Sequence, residues 1–197
     1  MIRMAYLAIV GSFSVNGVAQ LHTDLLKSGL FADFYKLWPE KFNNKTNGVT
    51  QRRWLAHCNA PLRDLLNETI GEGWQCDLTE IKKLEPKADD LAFHKKWEAA
   101  KQINKVRLAQ YVKKHTGVEF DPSAMFDVQV KRIHEYKRQL LNVLHAVHLL
   151  DRIERGDTKG MVPRCILIGG NEAPGYHMAK VIVKLINDVV NVINNHP

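Results

Sequence analysis

The sequence predicts an α/β fold, because short strand-like runs alternate with long amphipathic helical patterns in its second half. Residues 126–130 alternate between apolar and polar with period two, and residues 165–168 form an apolar run followed by Gly169 and Gly170. Helical patterns follow each run, one from residue 133 to near Gly156 and one over residues 176–193. This β-α-β-α order is typical of a partial Rossmann-like parallel sheet with flanking helices, incomplete in this chain. Since a two-stranded sheet is marginal alone, we expect a piece of a larger protein.

The first thirty residues contain an apolar run and an amphipathic pattern. Residues 4–10 are apolar over a length that suits either a buried strand or the start of a buried helix. Ser14 or Asn16 is positioned to cap a helix that continues to Leu26, and Gly29 is a plausible stop. We therefore expect one helix that runs from this cap to Leu26.

Residues 38–54 show no regular periodicity. Pro39, Asn43 and Gly48 mark an irregular, turn-rich stretch, which nevertheless carries aromatic and basic side chains. Irregular segments of this composition often carry binding residues on a rigid scaffold. Trp54 closes the stretch, where it either stacks on a planar ligand or fills the core, which is the usual role of a tryptophan.

Two helices are predicted in the middle of the chain. Asn59, with Pro61 two positions later, indicates a helix that continues to Ile70. Asp89 or Asp90 starts a longer helix that continues to Lys114, with apolar residues at helical spacing.

Composition narrows the classes of function. The chain has 197 residues, 45% of them hydrophobic, with a net charge of +7 that favours an anionic partner. No CxxC spacing is present among the three cysteines, Cys58, Cys76 and Cys165, so we expect reduced thiols. No carboxylate or cysteine stands at matching spacing beside His145 and His148, so we expect no metal site. No apolar run approaches the ~20 residues of a membrane helix, and we expect an intracellular protein without membrane contact.

The densest group of positive charges follows the first predicted strand of the second half. Lys131 and Arg132 precede the predicted helix, and Lys137, beside Tyr136, lies about one and a half turns into it. A helix N-terminus with converging Lys and Arg side chains is suited to phosphate. The alternative, a solvated basic face on a surface helix, remains open from pattern alone.

A glycine-rich segment, residues 169–175, follows the second predicted strand. Its glycines permit a tight turn and a close approach of the backbone to neighbouring groups. The segment matches neither GxGxxG nor the P-loop pattern, and by itself it is more typical of a plain connection than of a ligand site.

Several stretches together carry a specific resemblance. They are residues 4–5, 15–19, 21–22, 38–50 (WPEKFNNKTNGVT), 52–54 (RRW), 126–139 (FDVQVKRIHEYKRQ) and 173–180 (APGYHMAK). In order and spacing this set resembles the α-glucan phosphorylases of the glycogen, starch and maltodextrin type. The resemblance covers essentially the whole chain.

The resemblance implies the fold and activity of a parent enzyme. These are cytoplasmic enzymes, allosterically controlled and homodimeric, with two Rossmann-like domains of the two-domain glycosyltransferase type. They use orthophosphate to release a terminal α-1,4-linked glucose of a glucan as glucose 1-phosphate. Pyridoxal 5′-phosphate, held as a Schiff base on a lysine, supplies a phosphate group for acid–base exchange. That lysine is expected outside these residues, so we expect the piece alone to be inactive.

The resemblance also implies roles for individual residues. It implies phosphate-binding, catalytic roles for Lys131, Arg132 and Lys137; glucose contacts for Asn47 and Tyr136; and cofactor contacts for Trp54 and Lys131. It further implies that residues 1–55 are the end of the N-terminal domain. Residues 56–197 then comprise a helical segment and the first β-α-β-α units of the C-terminal Rossmann-like domain.

Departures from the family pattern leave the cationic cluster untouched. Gln51 stands where a proline is usual, Phe13 where a histidine is usual, and Asn171-Glu172 where Lys-Ala is usual. Two other functions are weighed against phosphorolysis: a basic module that binds phosphate or nucleic acid, and a glycosyltransferase that uses a nucleotide sugar. The lack of interleaved aromatic residues and of a known nucleic-acid motif argues against nucleic acid.

Overall fold

The computed structural model describes residues 2–196 and divides the chain into two compact units, Met1–Trp54 and Leu55–Pro197. The predicted α/β class is confirmed. Over the described residues, helices predominate, and four strands form two separate parallel sheets of two strands each.

The N-terminal unit contains three short helices and one of the two sheets. The helices are α1 (Met4–Gly11), α2 (Gln20–Leu25) and α3 (Ala32–Leu37), and the strands are β1 (Val15–Gly17) and β2 (Phe42–Asn44). The apolar run at residues 4–10, left open between strand and helix, is therefore helical. A π-helical turn, Leu26–Leu30, continues α2.

The predicted start of the second helix is wrong. Neither Ser14 nor Asn16 caps it, because residues 15–17 form β1, which pairs in parallel with β2. A Cβ atom on Gly17 would lie 2.2 Å from the hydroxyl oxygen of Thr23, so the chain turns tightly there into α2. Thr23 is buried and donates from its hydroxyl to Oδ1 of Asn44 at 3.0 Å.

Two helices of the C-terminal unit, α4 and α5, begin and end close to the predicted residues. Asn59 caps α4 (Ala60–Ile70) by accepting from the backbone N–H of Leu62 at 3.3 Å. Asp90 caps α5 (Leu91–Thr116), and Gly117 ends it in the left-handed conformation, with φ of +76°. Capping chemistry of this kind is local, which explains why the sequence shows it.

A compact core forms around the helices that follow Trp54. Trp74, with an exposed fraction of 0%, packs in one cluster with Leu66 and Ala56, and Trp97 lies against it. The indole N–H of Trp74 donates to Oδ1 of Asn67 at 3.0 Å, so its polar edge is satisfied inside the core.

The predicted β-α-β-α order is confirmed in residues 125–194. The elements are β3 (Met125–Val130), α6 (Gln139–Glu154), β4 (Arg164–Gly169) and α7 (His177–Asn194). The two strands pair in parallel along their whole length, from Met125 opposite Arg164 to Val130 opposite Gly169.

The helix after β3 begins later than predicted. A 3₁₀ turn, Glu135–Lys137, comes first, and Arg138 then adopts the left-handed conformation with φ of +63°. Ile133, which fitted the helical spacing, is instead buried against Ala179 and Ile182 of α7. Lys137 therefore precedes α6, and the prediction that it lies within that helix is wrong.

The described part of the chain contains neither a membrane-spanning helix nor a cluster of metal ligands. Within residues 2–196 no helix combines the length and the apolar character that crossing a membrane requires. The same residues contain no group of three or more His, Cys, Asp or Glu side chains placed to hold a metal ion.

Candidate anion-binding site

Two loops lie at the same edge of the β3–β4 sheet. Residues 131–138, the cationic loop, follow β3, and residues 170–176, the glycine loop, follow β4. Because the strands are parallel, their carboxyl ends meet at one edge, where open α/β sheets bind ligands.

Backbone hydrogen bonds join the two loops. The N–H of Lys131 donates to the carbonyl oxygen of Gly169 at 3.0 Å, and that of Ile133 donates to Asn171 at 2.9 Å. A Cβ atom on Gly170 would lie 2.1 Å from the carbonyl oxygen of Lys131. The close approach that the glycines of this segment permit therefore occurs, and it brings the backbones of the two loops into contact.

A buried carboxamide holds the first half of the cationic loop. Gln139, the first residue of α6, has an exposed fraction of 0%. Its Nε2 donates to the carbonyl oxygen of Arg132 at 3.0 Å, and its Oε1 accepts from the backbone N–H of His134 at 3.3 Å. Sequence reasoning missed this residue, because a single glutamine near a charge cluster carries no recognisable signal.

A second carboxamide holds the end of the same loop. Nε2 of Gln129, on β3, donates to the carbonyl oxygen of Lys137 at 3.0 Å. Oε1 of Gln129 accepts from Nδ2 of Asn142, on α6, also at 3.0 Å. The backbone of the loop is thus bonded to both elements that flank it.

Within the part of the chain that the structure describes, the positive charges of the cationic loop lack carboxylate partners. Lys131, Arg132 and Arg138 are exposed and Lys137 is half-buried. Across residues 2–196, the ion pairs of the protein include none of these four side chains. They also precede the N-terminus of α6, where the helix dipole adds positive potential.

Aromatic rings and one carboxylate occupy the middle of the cationic loop. The ring of His134 lies 4.5 Å from that of Tyr136 and 4.7 Å from that of Tyr176, between centroids. The Tyr176 hydroxyl donates to the Glu135 carboxylate, and this hydrogen bond raises the pKa of Tyr176 above its usual value. The ammonium group of Lys137 lies 5.7 Å from the centroid of the exposed Tyr136 ring.

The remaining candidate residues, Asn47 and Trp54, belong to the N-terminal unit. The backbone N–H of Asn47 donates to the carbonyl oxygen of Val18 at 3.0 Å, and its side chain is exposed. Trp54 has an exposed fraction of 63%. Core filling, its usual role, therefore does not account for Trp54 here. The structure gathers Lys131, Arg132, Tyr136 and Lys137 into one loop.

The cations of the cationic loop have no carboxylate partner among residues 2–196. A cationic loop at the carboxyl edge of a parallel sheet, directly before a helix, is typical of α/β proteins that handle phosphate. Comparison with known sequences is more specific. The chain belongs to the carbohydrate phosphorylase family, whose sequence profile matches residues 1–197. The resemblance to phosphorylases stated above is thereby confirmed.

Relatives from distant organisms match with equal strength. The chain is 52% identical to the brain form of glycogen phosphorylase from Bos taurus and to that from Homo sapiens, over 196 residues in each case. It is also 52% identical to glycogen phosphorylase from Synechocystis sp. over 196 residues. Each match covers 100% of this chain and 23% of the relative, so the chain spans about a quarter of their length.

Proposed function

We propose that the protein to which these residues belong is an α-1,4-glucan phosphorylase. It releases the terminal α-1,4-linked glucose of a glucan with orthophosphate and yields glucose 1-phosphate. The observation that carries the proposal is the cationic loop, four of whose side chains have no carboxylate partner among residues 2–196. The relatives, which are named glycogen phosphorylases, support it.

In this proposal Lys131, Arg132 and Lys137 bind phosphate. A guanidinium group offers two parallel N–H donors to phosphate oxygens, whereas an ammonium group acts as a compact charge. Two phosphates side by side repel each other strongly, and a dense set of cations offsets that repulsion. These three residues therefore lower the cost of bringing orthophosphate beside the phosphate of a cofactor.

Pyridoxal 5′-phosphate is the proposed cofactor, and the residues fit its phosphate group. Cations without internal carboxylate partners suit a phosphate monoester, which Lys131 would contact, and the exposed Trp54 ring is available to pack against a planar heterocycle. When bound, the cofactor supplies a phosphate group that exchanges a proton with orthophosphate. We place the lysine that carries the cofactor outside these 197 residues.

Glucan recognition and the setting of the whole protein belong to the same proposal. Asn47 and Tyr136, both exposed, offer polar groups to a glucose unit. Tyr136 also provides an aromatic face. We propose a cytoplasmic, allosterically controlled homodimer in which residues 1–55 close the N-terminal domain and residues 56–197 open the C-terminal one. Glycogen, starch and maltodextrin are all compatible substrates.

A chimeric enzyme tests the proposal. The segment replaces its counterpart in the glycogen phosphorylase of Synechocystis sp., and release of glucose 1-phosphate is measured. We expect an active chimera whose kcat falls about 10²–10³-fold with Lys137→Ala, the usual effect of losing one donor to transition-state charge. Lys159→Ala, which removes an exposed lysine outside the loop, is the matched control. Equal activity of the two variants would contradict the proposal.

The isolated 197 residues provide a second test. Without the cofactor-bearing lysine they should release no glucose 1-phosphate and should not take up pyridoxal phosphate covalently. Visible absorbance from covalently retained cofactor, or measurable phosphorolysis, would refute this part. Steeply salt-dependent binding of DNA or RNA that is abolished by Lys137→Ala would point instead to a nucleic-acid module.

A further inference from the structure

The cationic loop is held at two backbone carbonyl groups that belong to its own cationic residues. The carbonyl oxygen of Arg132 accepts from Gln139, and that of Lys137 accepts from Gln129, both at 3.0 Å. Each glutamine therefore acts on the main chain of a residue whose side chain is free to meet an anion.

The burial of Gln139 favours one conformation of the cationic loop over others. Its side chain is fully buried, and both ends of its carboxamide are used, with Oε1 accepting from the N–H of His134 at 3.3 Å. A buried polar group that loses its partner keeps the full cost of desolvation, so an alternative loop conformation is disfavoured. Both ends of the Gln129 carboxamide are also used, because Asn142 donates to its Oε1 at 3.0 Å.

We propose that Gln129 and Gln139 are positioning residues that set the anion affinity of the cationic loop, an inference that rests on the proposed phosphate-binding function. Arg132 and Lys137 lie at opposite ends of the loop, and neither is held by an ion pair within residues 2–196. Fixing their main chains lowers the conformational freedom that the loop loses when an anion binds.

Titration of the 197-residue chain with inorganic phosphate, at constant ionic strength, tests the inference. Amide chemical shifts of the cationic loop report the dissociation constant. Gln139→Leu and Gln129→Met remove the carboxamides and keep most of the volume, and urea unfolding shows the concentration range in which each variant stays folded. We expect the dissociation constant to rise about fivefold or more in each variant, as loss of one or two hydrogen bonds implies.

A control and a double variant separate positioning from stability. Ile182→Val loosens the buried cluster beneath the loop without removing either carboxamide, and it should leave the dissociation constant unchanged. If Gln139 acts through Arg132, Gln139→Leu should change the dissociation constant much less in an Arg132→Ala background than in the unchanged chain. A purely structural role predicts the same fold-change in both backgrounds.

The outcomes distinguish the inference from the function on which it rests. Unchanged phosphate affinity in both glutamine variants, with loss of affinity in Lys137→Ala, overturns the positioning role and leaves the proposed function standing. Should Gln139→Leu fail to fold, Gln129→Met decides the question at the Lys137 end. Failure of the unchanged chain to bind phosphate overturns the inference, whereas the chimeric enzyme tests the proposed function separately.

Discussion

Gly170 offers the most direct test of how the two loops are joined. A Cβ atom at this position would lie 2.1 Å from the carbonyl oxygen of Lys131, 3.0 Å from its carbonyl carbon and 3.3 Å from Cδ1 of Ile133. The nearest atoms are backbone, which cannot rotate away as the end of a flexible side chain does. Gly170→Ala must therefore move the cationic loop away from the glycine loop or retain the strain.

Both responses have a similar energetic cost. If the loops stay in place, overpacking of this kind costs about 1–3 kcal/mol. If they separate, the hydrogen bonds from Lys131 to Gly169 and from Ile133 to Asn171 are weakened or lost, at about 0.5–1.5 kcal/mol each. Separation of the loops relieves the overpacking but loses the hydrogen bonds, so the two costs are alternatives and are not added. We therefore expect the free energy of unfolding to fall by about 1–3 kcal/mol in total.

Urea unfolding of the C-terminal unit measures this loss, and amide hydrogen exchange at Lys131 and Ile133 locates it. Gly175→Ala is the matched control, because the same loop leaves nothing within 4 Å of a Cβ atom there. Its effect should stay within about ±0.5 kcal/mol, as for other surface substitutions. Equal stability and equal exchange rates in the two variants would refute the account of loop contact.

Three further predictions concern caps, core and pH. Asn59→Ala should lower the free energy of unfolding by about 1 kcal/mol in urea titrations, because Leu62 loses its capping partner. Trp74→Ala should cost about 3–5 kcal/mol in the same assay, since the indole is fully buried. Absorbance titration should show Tyr176 ionising above its ordinary pKa of 10.0, with Glu135→Gln lowering that value. The hydrogen bond from Tyr176 to Glu135 stabilises the folded protein only while the tyrosine is protonated. Because the pKa of Tyr176 is higher in the folded state, this stabilisation is complete below the unfolded-state pKa and is lost as the pH rises through the folded-state pKa.

The elements that sequence reasoning predicted well are those fixed by local chemistry. The cap at Asp90 and the left-handed Gly117 bound α5, and each acts within a few residues of itself. The period-two alternation of β3 and the apolar run of β4 likewise each lie within a single strand. Such signals are complete within a short window of sequence.

The elements that were missed depend on partners distant in the chain. Residues 15–17 form a strand only because residues 42–44 pair with them, and three residues carry no periodicity of their own. Ile133 fits the helical spacing of α6, yet it lies before that helix and packs against Ala179 and Ile182 of α7. Periodicity identifies an apolar position but does not identify which element it packs against.

The candidate site shows the same division between local and distant information. Charge density alone singles out Lys131, Arg132 and Lys137 but favours a solvated basic face over a phosphate site. The structure adds the contacts of Gln129 and Gln139, which hold the main chain beneath those charges. A surface chosen only for solubility has no need of a fully buried carboxamide at one end of its loop and a half-buried, doubly hydrogen-bonded one at the other.

Glu135 shows how the cationic loop keeps its charge available. It is the one acidic residue among residues 131–138, and within so short a loop it is the nearest candidate partner for the surrounding cations. Its carboxylate instead accepts from the Tyr176 hydroxyl, and the raised pKa of Tyr176 is the counterpart of that hydrogen bond. Removing the hydroxyl with Tyr176→Phe frees the carboxylate to pair with a lysine or arginine of the loop. Phosphate affinity should then fall, and Glu135→Gln in the same chain should restore it, whereas affinity that is unchanged in Tyr176→Phe would show that Glu135 does not compete with phosphate.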